Sequence, residues 1–176
     1  MLIKGLYSTN EDIVEKSLIE INYFCSIVDF EMEDYLNMNQ DMNKELLMKL
    51  IDILNTNTKS MWIVEKCLDA LGAVITNAKG IDVNTLIPIV DTLKSITINK
   101  NTENDQKLIG STLNCIANIA NVIKYNNFKP YEEYFTVFAL QCIKSNVYDL
   151  QYGGLSYFAS LADCKGDLFG SLINDV

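Results

Sequence analysis

Five cysteines and scattered carboxylates have the greatest chemical reach in this chain, because histidine and arginine are both absent. Without histidine there is no common general base, no imidazole metal ligand and no partner for a serine or cysteine nucleophile. Cys25, Cys67, Cys115, Cys142 and Cys164 are widely spaced, odd in number and free of any C-x-x-C pair. They read as small core residues in a reducing compartment rather than as metal ligands or a disulfide framework. The neighbouring carboxylates Glu31, Glu33 and Asp34, and Glu132 with Glu133, would do acid–base work only in an apolar pocket, and the residues around them predict solvated charge instead. Gly153-Gly154 lacks the G-x-x-x-x-G-K-[ST] context of a phosphate loop, so it predicts a bend or a close helix–helix approach. The expectation is a non-enzyme with no metal and no cofactor.

The bulk numbers narrow the partners. Fourteen lysines against 23 acidic residues leave a formal charge of −9 over 176 residues. A phosphate-tracking surface needs clustered positive charge, so direct nucleic-acid binding is not expected and a basic partner is. MLIKGLYSTN is too short in apolar length for a signal peptide, and no run reaches the length of a membrane span. The expected location is cytoplasm and nucleus.

The elements that position these residues follow from one repeated pattern. In EKCLDALGAVITN, Leu68, Leu71, Val74, Ile75 and Ala78 recur at helical spacing on one side. The same template reads Leu18, Ile21, Phe24, Cys25 and Val28 upstream. Downstream it reads Leu113, Ile116, Ile119, Ala120 and Ile123, then Leu155, Phe158, Leu161 and Ala162. The first leucines of the four copies stand 50, 45 and 42 residues apart. Each long helix is followed by a shorter one, with Leu46, Leu47, Leu50, Ile51 and Leu54 inward in the first, and Leu86, Ile87, Val90 and Leu93 in the second. The third begins near Pro130 and turns Tyr131, Tyr134, Phe135, Phe138 and Cys142 inward. A polar loop from Glu31 to Met42 accounts for the longest interval. Gly80 is expected to cap the second long helix, and Leu168–Ile173 to start a new one.

Two helices per unit at about 40–47 residues is the signature of an α-solenoid of the HEAT or armadillo kind. The predicted fold is all-α, a single solenoid segment over residues 1–176, with repeats at approximately 8–57, 58–101, 102–146 and an incomplete 147–176. Such pairs dry their apolar sides only by stacking on neighbours, and both ends lack a polar capping unit, so a segment of a longer protein is expected.

The run Leu86-Ile87-Pro88-Ile89-Val90-Asp91-Thr92-Leu93-Lys94 resembles the opening of the second helices in the importin-β superfamily, the karyopherins. Leu108-Ile109-Gly110-Ser111-Thr112-Leu113-Asn114-Cys115-Ile116, with Phe128 after it, is similar to the next first helix in the branch that imports ribosomal proteins and histones. Gln151-Tyr152-Gly153-Gly154-Leu155-Ser156-Tyr157-Phe158-Ala159 is similar to that branch's glycine-containing helices. The Asp and Arg ladder of many HEAT repeats is missing, as is the long acidic loop of many importins. The resemblance implies a nuclear transport receptor that carries basic cargo proteins through pores. It further implies that the full-length protein contacts Phe-Gly nucleoporins and a Ran-type GTPase. A HEAT scaffold of another class, such as a phosphatase scaffold, a vesicle coat or a chromosome-associated subunit, would share the fold and the charge.

Two sets of residues are candidate contacts. In solenoids the short helices usually line the concave wall, where carboxylates grip Lys- and Arg-rich segments. Glu45 and Asp52 lie opposite the inward arc of their helix, Glu133 takes the equivalent position on the third short helix, and Asp91 flanks the arc on the second. The solvated side of any amphipathic helix would look the same, and Lys49 and Lys144 interrupt the face. Trp62, the lone tryptophan, points away from Leu68 and Leu71. It either takes an apolar peptide in a groove between long helices or packs on a neighbouring unit.

Overall fold

The computed structural model describes residues 2–27, 40–56, 60–77, 81–99 and 105–166. Every regular element among them is a helix: α1 (Leu2–Gly5), α2 (Glu11–Ile27), α3 (Gln40–Asn55), α4 (Met61–Asn77), α5 (Val83–Asn99), α6 (Gln106–Ile143) and α7 (Tyr148–Lys165). The all-helical class expected from the periodicity is therefore observed. Gly80, the 31–39 part of the polar loop, and Leu168–Ile173 lie outside the described residues.

The chain divides into two compact units, Met1–Thr92 and Leu93–Val176, with the boundary inside α5. In the first, α2 begins at Glu11, directly after the polar run Ser8-Thr9-Asn10. The Asn10 side-chain oxygen accepts the Asp12 N–H at 2.9 Å, and the Ser8 hydroxyl accepts the Asn10 N–H at 3.1 Å. These bonds satisfy donors that the first turn leaves over. Helix α2 buries Val14, Leu18, Ile21 and Cys25, one stripe at helical spacing, and packs against α1 and α4. Phe24, expected in that stripe, is exposed. Helix α4 also packs on α3, where the Cys67 thiol donates to the Leu50 carbonyl at 3.2 Å. It buries Ile63, Cys67, Leu68, Ala70, Leu71, Val74 and Ile75, more of its circumference than any one stripe needs. A helix buried almost all round is one with neighbours on several sides.

In the second unit, α6 is two helical arms joined at Lys124, whose φ of 67° and ψ of 161° break the helix. The expected second helix of this unit thus starts directly after Lys124 rather than near Pro130. Phe128, Phe135, Ala139 and Cys142 are its buried positions, while Tyr131, Tyr134 and Phe138 are half-buried. Helix α7 packs against α6 and touches both arms. Gly153 faces Gly110 on the first arm, and Gly154 faces Ala139 and Ile143 on the second. Below the glycines, Tyr157 is fully buried against Phe128 and Phe135, with ring centroids 6.2 and 6.4 Å away.

The two prolines expose a shared register. Pro88 and Pro130 stand 42 residues apart, each the sixth residue of its helix or arm. Both are exposed, as are Asn84 and Asn126, whose carbonyls the missing amides would have met. At the same offset, buried Leu86 matches Phe128, Leu93 matches Phe135, and Thr97 matches Ala139.

The fourth copy of the template is the one whose register the structure changes. Leu155, read as its inward anchor, is 58% exposed. The buried positions of α7 are Gly153, Gly154, Tyr157 and Leu161. Helix α7 carries apolar residues on both sides, and it is the glycines that allow the closest approach.

Candidate functional site

Helix α3 holds the first two candidate carboxylates on its solvent side. Glu45 accepts a hydrogen bond from the Tyr7 hydroxyl at 3.2 Å. Asp52, 64% exposed at its side chain, pairs with Lys49 at 2.7 Å. The Lys49 ammonium lies 4.7 Å from the centre of the Tyr7 ring. The structure therefore brings Glu45 and Asp52 together through Lys49 and Tyr7, and part of their charge is answered within the protein. An exposed pair at i,i+3 contributes at most about 1 kcal/mol, so a stronger cation from a partner would compete with it readily. Asp91 on α5 and Glu133 on the second arm of α6 are also exposed.

Trp62 lies in the first turn of α4, 46% exposed, beside Met61, which is 38% exposed. Lys66 stands over its ring at 4.5 Å and is 3.5 Å from both Glu65 and Asp69. The ring keeps exposed area for an apolar contact, although a lysine already occupies part of its surroundings. The same device recurs where Lys94 lies 4.6 Å from the Tyr134 ring. In a chain without arginine, lysines take the role of cation over aromatic faces.

The most developed polar cluster is one that the sequence did not single out. The sequence predicts solvated charge for Glu132 and Glu133 alike, but adjacent helical residues point about 100° apart, and the two divide. Glu133 is exposed, whereas Glu132 turns inward and accepts from Lys165 at 2.5 Å and from the Tyr125 hydroxyl at 2.9 Å. The Lys165 ammonium also lies 4.9 Å from the Tyr125 ring. Only 7% of the Lys165 side chain and 16% of the Glu132 side chain are exposed. Burial by itself lowers the lysine's affinity for its proton; the hydrogen bond and charge of Glu132, with Tyr125, reverse this and hold it above its ordinary range. The Tyr157 hydroxyl donates to the Glu132 carbonyl at 3.4 Å and bonds to Thr136 at 3.2 Å. A satisfied cluster of this kind fixes α7 on α6. The only signal available in the sequence was the 33-residue separation of a Glu and a Lys on different helices, and pattern reading does not resolve that.

The cysteines are disposed as small core residues. Burial pushes the Cys25 and Cys142 thiols up to about 11, which leaves them protonated and poorly nucleophilic at neutral pH. Cys67 and Cys115 are buried, and Cys164 donates to the Ala120 carbonyl at 3.4 Å. Among the described residues no three His, Cys, Asp or Glu side chains converge as a metal site would require. Nor is any described helix long and apolar enough to cross a membrane.

One surface remains conspicuous. On the outer side of α7, Tyr148, Tyr152 and Leu155 are 75%, 55% and 58% exposed, and the two tyrosine rings stack at 6.2 Å. Compared with family models, with curated proteins and with solved structures, the chain matches none.

Proposed function

We propose that this chain is a segment of a helical-repeat solenoid that binds other proteins and carries out no catalysis. The observation that carries this reading is the 42-residue register shared by α5 and the second arm of α6, in which an exposed proline and buried residues return at the same offset. Repetition of one helix-pair plan is the economy of a solenoid, whose repeated surfaces suit extended protein partners. The exposed aromatic side chains Trp62, Tyr148 and Tyr152, and the solvent-facing carboxylates of α3 and α5, are consistent with binding by surface rather than by pocket.

Within that class we favour a nuclear transport receptor that takes basic cargo in the cytoplasm and releases it in the nucleus. The resemblance of the α5 opening and of the glycine-containing α7 supports it, as does the formal charge of −9. The test is a pull-down of the protein containing this chain with GTP-loaded Ran-type GTPase, with Phe-Gly repeat peptides and with a Lys-rich cargo segment. Capture of all three is expected. Failure to bind the GTPase and the repeats, with retained binding of other proteins, would return the chain to the scaffold class. Glu45→Lys and Asp52→Lys together should weaken binding to the Lys-rich segment; unchanged binding would remove α3 from the contact surface.

A further inference from the structure

Lys124 is the one non-glycine residue with positive φ among the described residues, and its φ of 67° with ψ of 161° lies in a region that glycine tolerates and L side chains resist. It is also the whole of the connection: α6 is helical on both sides of this single residue. The sequence predicts a helix boundary a few residues later, near Pro130, but nothing about Lys124 itself asks for the break. Lysine is a good helix former, and Pro130, six residues on, is exposed and already accommodated in helix. The bend persists because α7 grips both arms, with Gly153 against Gly110 and Gly154 against Ala139.

We propose that Lys124 is a strained hinge that opens, letting the chain exchange residues 125–166 with a second copy while 106–143 runs on as one continuous helix. The contacts divide cleanly across this hinge. Glu132 with Lys165, Tyr157 with Phe128 and Phe135, and Gly154 with Ala139 all lie within the exchanged segment. Gly110 with Gly153, Asn121 with Ser160 at 3.1 Å, and Ala120 with Cys164 link it to the first arm, Tyr134 with Thr97 and Lys94 links it to α5, and all of these are remade between copies. Both forms thus contain the same packing, and they differ in the hinge and in the cost of association. A tight connection under strain is the condition that favours such exchange. The proposal is independent of the transport reading.

The test is to unfold the chain in urea, refold it at low and at high protein concentration, and measure mass by light scattering after gel filtration. Wild type refolded at high concentration is expected to give a dimer that persists on dilution, since separation requires unfolding. Lys124→Gly relieves the closed bend and weakens the continuous helix, so its dimer fraction should fall at least about tenfold. Lys124→Ala retains the strain and should dimerise as much as wild type or more. A dimer equally abundant in Lys124→Gly, a dimer that forms from native monomer on simple mixing, or wild type and Lys124→Ala that stay monomeric at every refolding concentration would each overturn the proposal.

Discussion

Gly153 rests on the backbone of Gly110 so closely that a Cβ at position 153 would lie 2.6 Å from the Gly110 carbonyl oxygen. Backbone cannot swing aside as the end of a side chain can, so an added methyl must push α7 off the first arm of α6. Gly153→Ala should destabilise the second unit by about 1–3 kcal/mol, the usual cost of overpacking, despite alanine's better helix propensity. Leu155→Ala, two residues on and largely exposed, should change stability by about 0.5 kcal/mol or less. Urea midpoints of the two variants, compared with wild type, check the contrast.

Removing either partner of Glu132 and Lys165 should hurt, but unequally. Glu132→Ala leaves an ammonium nearly buried and strips the Tyr125 hydroxyl of its acceptor. A cost of about 3–5 kcal/mol is expected from an uncompensated buried charge. Lys165→Met puts an apolar chain of similar length in the same space and leaves Glu132 with the Tyr125 bond, so it should cost less. Equal losses in denaturation would mean that the pair is more solvated than the structure places it.

The hydroxyl of Tyr157 provides a finer probe of the same packing. Tyr157→Phe keeps the ring against Phe128 and Phe135 and removes the bonds to Thr136 and to the Glu132 carbonyl. The expected loss is about 0.5–1.5 kcal/mol, the net worth of an ordinary hydrogen bond. Phe135→Ala, by contrast, opens a cavity in the fully buried cluster and should cost about 3–5 kcal/mol. Thermal or urea denaturation of both variants separates the polar from the packing contribution.

The helical class was legible because Leu18, Leu71 and Leu113 each sit in stripes whose buried and exposed faces differ in hydrophobicity. What could not be read was which side of an element with two apolar sides is covered. In α7, Leu155 and Tyr152 look as fit for a core as Tyr157 and Leu161, and the choice was made by Gly153 and Gly154, which add no hydrophobic signal. Glu132 and Glu133 likewise look alike in sequence, and only the arrival of Lys165 from another helix separates them. The break within α6 was legible to within a few residues, since a separate helix is expected near Pro130, but its place at Lys124 was not, because lysine itself favours continuation. The Glu45 and Asp52 pair was placed on the correct solvent side, but the Tyr7 ring that gathers Lys49 between them comes from a turn outside α3.

Alkaline pH should weaken the fold. Burial raises the Cys25 and Cys142 thiols to about 11 in the folded chain from an ordinary thiol value of 9.0. Above pH 9 the unfolded chain has lost these protons while the folded chain still holds them. The unfolded state then binds fewer protons, so stability falls as pH rises, and the loss is complete above about 11. Lys165 acts with the same sign: its proton is held more tightly in the folded state, and its contribution disappears as pH climbs through the raised value. The urea midpoint should therefore be flat from about pH 7 to 8.5 and drop progressively from 9 to 11. Cys25→Ala with Cys142→Ala should flatten the first part of that fall at some cost in stability at pH 7, because two buried side chains shrink. A wild-type midpoint independent of pH up to 11 would show that these thiols are reached by water in the folded state.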